Sequence, residues 1–424
     1  MRFAAGRSAV KGRNAIAILD GLQQLDSLGF NRSYLRYIAA RAAAAVALQM
    51  TGVAVGWHIY AMTGSAFDLG LVGLVQFLPS VLLVLFVGHA ADRYNRLRIV
   101  SLAQLFMALA LFLISLGTGS HWLTRESLLV LLFLFGVART FEFTTAQTII
   151  PSLVDQEVLP RALALGSSVR QGAVIAGPLL GGFLYLLGPS VVYATSAVLF
   201  LLSASLVARL QMAHQVRRHE PVSLSSVFGG IAYIRSQPVV LGAISLDLFA
   251  VLLGGATALL PIYARDILHA GPWGLGSLRA GPALGALVSS LYLARFPLHR
   301  HVGKTMFSAV ALFGAATVVF ALSHSMALSF LSLVVLGGAD MISVVIRSSL
   351  IQLETPDAMR GRVSAVNAIF IGSSNELGEF ESGLTAAWLG TVPAAVLGGI
   401  GTLLVVLLWM RLFPQLLQRE QLRS

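Results

Sequence analysis

The stretch GHAADRYNRLR, residues 88–98, breaks two long apolar windows with Asp92, Arg93, Arg96 and Arg98. The windows either side, residues 68–90 and 97–118, are rich in Leu, Val, Phe, Ala and Gly. Each has about the 20 residues that a helix needs to cross a hydrocarbon core about 30 Å thick. So short a polar break reads as a turn between antiparallel membrane helices, held at the water surface by its arginines. Gly88 permits close helix contact, and Asp92 can face a helix N-terminus.

Outward from this turn the pattern repeats along the chain. Twelve spans are predicted: 36–62, 68–90, 97–118, 127–152, 161–187, 189–211, 239–263, 273–295, 303–323, 326–352, 361–389 and 392–412. Of the 424 residues, 57% are hydrophobic and 11% charged, against roughly 25% charged in soluble domains. Mean hydropathy is +0.82. The fold class is therefore an all-α membrane protein.

A net charge of +11 raises the question of nucleic acid, which the position of the charge answers. Most of the Lys and Arg fall in the N-terminal arm, the loops on one side, the central loop and the tail. Only Arg125 and Arg265 fall in loops on the other side. This asymmetry places both termini of a multi-pass membrane protein in the cytoplasm. No basic patch interleaved with aromatics points to nucleic acid. Residues 1–33 hold Arg2, Arg7, Lys11 and Arg13 without a continuous apolar core, so they read as a cytoplasmic arm and not a cleavable signal. Cysteine is absent, which excludes disulfides, thiolate metal sites and cysteine nucleophiles.

Residues 212–238, MAHQVRRHEPVSLSSVFGGIAYIRSQP, form the longest polar stretch between spans. They divide a six-helix half, 34–211, from a second, 239–413, followed by a cytoplasmic tail, 414–424. Sliding one half over the other by about 201 positions aligns Gly136 with Gly337, Arg161 with Arg362, Gly177 with Gly378 and Gly182 with Gly383. Parallel six-helix repeats of this kind build transporters whose halves rock about a central site.

Three motifs carry a resemblance to a known family. Gly88, Asp92, Arg93, Arg96 and Arg98 match the G-x-x-x-D-[RK]-x-G-[RK]-x-[RK] loop of the major facilitator superfamily, with Asn95 where the family usually has Gly. Asn also tolerates the left-handed region, so the turn is expected to survive. AGPLLGG, residues 176–182, is similar to the family's antiporter motif through Gly177, Pro178, Gly181 and Gly182, with Ala173 at its usual upstream Gly. Residues 354–365, ETPDAMRGRVSA, with VDQEVLPRALALGSSV of the first half, resemble the branch of enterobactin exporters and macrolide or drug efflux proteins. The resemblance implies two pseudo-symmetric halves of the major facilitator fold, alternating access, and a conformational latch in which Asp92 sits against the start of helix 11. It also implies a central cavity lined by helices 1, 4, 7 and 10. From the residues alone, the glycines of AGPLLGG allow close helix approach and Pro178 frees a backbone carbonyl.

Ionisable side chains fall well inside the spans at Arg41, Arg139, Glu142, Arg170, Asp247, Arg279, Asp340, Arg347, Glu376, Glu379 and Glu381. Facing lipid unpaired they would cost about 2.5 to 3.5 kcal/mol each. They must face water, backbone or one another. Arg139 and Glu142 share a helix face, as do Asp340 and Arg347. Under the repeat, Arg139 corresponds to Asp340, so the two are expected to attract across the cavity. On helix 11, Glu376 and Glu379 lie on adjacent faces, whereas Glu381 is about 200° from Glu379 and needs another partner. The carboxylates read as proton carriers, as ligands for a cation, or as partners for Arg170, Arg279 or Arg347. Asp247 on helix 7 is a further cavity candidate.

No phosphate loop, HExxH or GxSxG motif is present, so the chain reads as no enzyme. It is expected to be a monomeric secondary transporter with no cofactor beyond a proton gradient, exporting an amphipathic small molecule such as a drug or siderophore. A lipid or lysophospholipid flippase is the second transport reading, and a transport-inactive sensor or scaffold the alternative of another class.

Overall fold

The structure, a computed structural model, describes residues 31–210, 224–298 and 300–422. The predicted arm, apart from Asn31, Arg32 and Ser33, and the first part of the predicted linker lie outside the described residues. The long helices are α1 (Arg32–Thr63), α2 (Ala66–Arg93), α3 (Arg96–Gly119), α4 (Arg125–Ala146), α5 (Leu159–Tyr185), α6 (Pro189–Ala208), α7 (Pro238–Leu253), α8 (Gly271–Arg295), α9 (Val302–Leu322), α10 (Met326–Glu354), α11 (Asp357–Leu389) and α12 (Thr391–Leu412). Among the described residues, nine helical stretches are long and apolar enough to cross a membrane. The long helices outside that set, α5, α8 and α11, carry Arg170, Arg279 and the three glutamates.

Local chemistry sets the boundaries. Asn31 opens α1 by accepting from the Tyr34 N–H at 2.7 Å, and Gly64 closes it at φ +62°, a conformation that glycine adopts without strain. Asn95 behaves differently from the sequence expectation. Its backbone is extended (φ −65°, ψ 115°), and its side chain accepts from the N–H groups of Leu97 and Arg98 to cap α3. Capping, not left-handed tolerance, is what suits Asn to that position.

The seventh span is also not one continuous helix. After Leu253 the chain breaks at Gly254 and Gly255, then continues as a 3-10 turn (Ala256–Leu259), a short α turn and a π turn (Tyr263–Ile267). A Cβ on Gly255 would lie 2.4 Å from the Gly378 carbonyl of α11. The break thus lets two backbones approach closely beside the molecular centre. Residues 224–236 of the predicted linker form a helix packed along α11, and its Tyr233 Oη donates to the Glu354 carbonyl at the end of α10 at 2.8 Å. Burial, and behind it the Glu354 charge, raise the Tyr233 phenol above its ordinary pKa.

Aligned glycines have equivalent surroundings. A Cβ on Gly136 would meet the Gln76 carbonyl of α2 at 2.9 Å, and one on Gly337 the Pro282 carbonyl of α8 at 2.0 Å. Gly177 packs on α1 at Gln49, and Gly378 on α7 at Val251 and Leu252. Gly182 packs on α8, and Gly383 on α2. The first two contacts fall within a half and the third joins the halves.

The joining contacts lie toward the ends of the helices away from the chain termini, called the outer end below. A Cβ on Gly276 would lie 2.4 Å from the Pro178 carbonyl, and one on Gly383 2.7 Å from Gly70 Cα and N. Tyr60 Oη donates to Asp266, and Arg265 Nη1 donates to the Tyr60 carbonyl at 3.1 Å while its guanidinium stands 5.4 Å from the Tyr60 ring centre. Together these seal the outer end. Toward the termini end, a Cβ on Gly88 or Gly361 would meet nothing within 4 Å among the described residues. The close contact expected of Gly88 is therefore not made by those residues.

Candidate transport chamber

Below the outer seal lies a cavity of about 220 Å³ between the halves. α1 gives it Gln49, Thr51, Gly52 and Gly56, and α2 gives Gly73 and Gln76. The charged side chains are Arg139 from α4, Arg279 from α8, and Glu376 and Glu379 from α11. Arg139 Nη1 stands 3.9 Å from Glu376 Oε1. Glu379 lies within the electrostatic reach of Arg279 and Arg139, and Glu376 within that of Glu379. Small residues make room for these groups. A Cβ on Gly52 would lie 2.8 Å from Arg279 Nη1, and one on Gly73 3.2 Å from Glu379 Oε2.

Two arginines against two carboxylates sum to zero, and a proton on each carboxylate leaves two positive charges. The chamber can therefore exchange charge with whatever enters it. Glu381 is absent from its lining and accepts instead from Thr385 Oγ1 at 2.7 Å on its own helix.

Several expected pairings are replaced by others. Arg139 does not meet Asp340 but turns to Glu376. Glu142, three residues along α4, turns away from Arg139 to an ion pair with Arg41 of α1 and accepts from Gln104 Nε2 at 3.3 Å. Arg347 does not pair chiefly with Asp340 but with Asp247 of α7, Nη1 to Oδ2 at 2.6 Å, both side chains buried. Asp340 faces that pair across a small void shared with Ser343. The polar face of α10 is thus turned into its own half, and α10 gives no lining to the central chamber. Arg170 lines a separate cavity nearer the termini end. Gly177, Pro178, Gly181 and Gly182 are packing residues between α5 and α1 or α8. The latch arginines Arg93 and Arg98 are exposed, Arg96 is half-buried, and the Asp92 side chain lies outside what the structure describes.

Sequence reading passed over Gln49, Gln76 and Asp266. Gln49 and Gln76 had a signal, as uncharged amides inside otherwise apolar spans.

Asp247→Ala combined with Asp340→Asn is expected to cost about 3–5 kcal/mol, since it leaves Arg347 buried with no carboxylate beside it. Thermal unfolding of the purified protein should show a large drop, and most of it should return when Arg347→Met is added. A variant lacking both carboxylates that is as stable as the parent would exclude a structural role for the pair.

Paired six-helix halves around a charged chamber define the class of a secondary transporter. Residues 38–378 match the family described as the Major Facilitator Superfamily, and the chain belongs to it. Relatives named enterobactin exporter EntS are 28% identical over 411 residues in Citrobacter koseri and 25% identical over 409 in Escherichia coli, each alignment covering 94% of this chain and 96% of the relative. Among solved structures, a point mutant of nucleoside transporter NupG superposes with a TM-score of 0.71 at 14% identity over 90% of this chain and 100% of that one. A bacterial homologue of ferroportin in the inward-facing state gives 0.65 at 18% over 92% and 99%. The chain is thus a multi-pass transporter of the inner membrane and not an enzyme.

Proposed function

We propose that the chain exports an amphipathic small molecule, a siderophore or drug-like compound, in exchange for protons. The observation that carries this is the chamber holding Glu376 and Glu379 against Arg139 and Arg279, sealed at the outer end. The charge asymmetry of the loops makes the termini end cytoplasmic, so the conformation is one that loads from the cytoplasm. The enterobactin exporters among the relatives support the substrate class. Glu376 and Glu379 take protons from outside once the cargo has left, carry them through the return and surrender them inside before the next cargo binds, so the halves swing only with the chamber loaded. A flippase would favour a polar lateral opening. The broad groove between α3 and α4, about 810 Å³, is instead walled mainly by apolar residues such as Leu102, Phe106, Leu109 and Leu134, and is not such an opening.

The test uses proteoliposomes holding the purified protein and a catecholate siderophore such as enterobactin, with membrane potential clamped. An imposed pH gradient is expected to drive accumulation, accompanied by proton movement in the opposite direction. Equilibration without accumulation and without proton flux would overturn the coupling.

A further inference from the structure

Arg170 is placed oddly for a structural charge. It lies inside α5, is exposed, and among the described residues has no ion-pair partner. It borders a cavity of about 270 Å³ within the first half, between α1, the end of α4 and α5. Gln147 and Ser167 supply neutral polar groups there, Arg41 a second guanidinium, and Tyr37 and Leu163 apolar wall. Glu142 neutralises Arg41, so the charge of Arg170 is left over, and the cavity is positive.

This cavity and the central chamber share their walls. On α1, Ile38, Arg41 and Ala45 line the first, and Gln49, Gly52 and Gly56 the second. Successive members are three or four residues apart, so they form one stripe along one helix face. On α4, Ala146 belongs to the first cavity and Arg139 and Phe135 to the second, again on one face. A molecule moving along that stripe from the termini end meets Arg170 first and the chamber second.

We propose that the Arg170 cavity is an entrance subsite for an anionic amphipathic molecule, which is held there by its negative group before it passes to the chamber. The inference rests on the reading of the chain as an exporter loaded from the cytoplasm. It narrows that reading to cargo bearing a carboxylate, phenolate or similar anion beside an apolar ring.

The probes are 1-naphthoate, 1-naphthalenemethanol and naphthylmethyltrimethylammonium, matched in ring and differing in charge. Each is titrated into the full-length protein in neutral detergent by saturation-transfer NMR, with empty micelles as the blank. Naphthoate should bind the parent about tenfold more tightly than the alcohol, the worth of a charge-assisted contact. Arg170→Gln should erase that preference, and Arg170→Lys should keep most of it. Arg170→Gln should also raise KM for naphthoate efflux while leaving kcat near the parent value. The proposal is overturned if Arg170→Gln binds naphthoate as the parent does, or if only Arg279→Gln removes the preference, which places binding in the chamber alone. Should binding follow the prediction while proteoliposomes move none of the probes, the subsite stands and the exporter reading fails.

Discussion

Proteoliposomes carrying Glu376→Gln or Glu379→Gln are expected to lose uphill transport while keeping exchange of substrate across the membrane. With the potential clamped, each proton exchanged supports about a tenfold substrate gradient per pH unit, so two protons support about a hundredfold. The parent should approach that ratio and each variant should fall to about one. The reason lies in the return step, which in an exchange with protons is made by the protonated chamber and not by the empty one. A glutamine stands in for the protonated carboxyl but holds no exchangeable proton, so the variant chamber returns without carrying one inward and cargo no longer draws on the pH gradient. Exchange of cargo for cargo needs no proton on α11, so it should continue. Accumulation near a hundredfold in both variants would remove α11 from coupling.

The pairing of Arg139 with Glu376 could not be drawn from spacing alone. Sequence distance says which side chains share a helix face, so Glu376 and Glu379 were separable from Glu381 by angle. It does not say how far a helix is rotated toward its neighbours. Arg139 and Glu142 are three residues apart, yet one reaches α11 and the other α1. Asp340 sits at the repeat position of Arg139, but the Asp247–Arg347 pair turns its face inward to its own half. Glycine positions were more legible, since a missing side chain marks a close approach whatever the partner. The same offset that aligned Gly177 with Gly378 and Gly182 with Gly383 also relates their contacts. The break in α7 had its signal in Gly254 and Gly255, which hydropathy averaged away. The Tyr60 seal joins residues 206 positions apart, and nothing local to either announces it.

Gly276→Ala should favour the state open at the outer end by roughly 5- to 150-fold, the effect of 1–3 kcal/mol on a two-state equilibrium. A methyl there would stand 2.4 Å from the Pro178 carbonyl and 3.2 Å from Gly182 Cα. Both neighbours are backbone of the opposite half, so the clash exists only while the outer end is closed. The cost is therefore borne by one state and not by the fold. Gly285, nine residues along α8, gives the contrast. Its added methyl would lie 1.8 Å from the Val334 carbonyl of α10, inside the same half, so Gly285→Ala should lower thermal stability in every conformation. The chain contains no cysteine, which makes the readout direct. A single Val55→Cys in the chamber wall, probed from outside with an impermeant maleimide, should label at least about fivefold faster beside Gly276→Ala than alone. Gly383→Ala, against Gly70 on the pseudo-symmetric side, should act in the same direction. Unchanged labelling with reduced stability would mean that AGPLLGG and α8 form a permanent joint, and the halves would then have to move about some other contact.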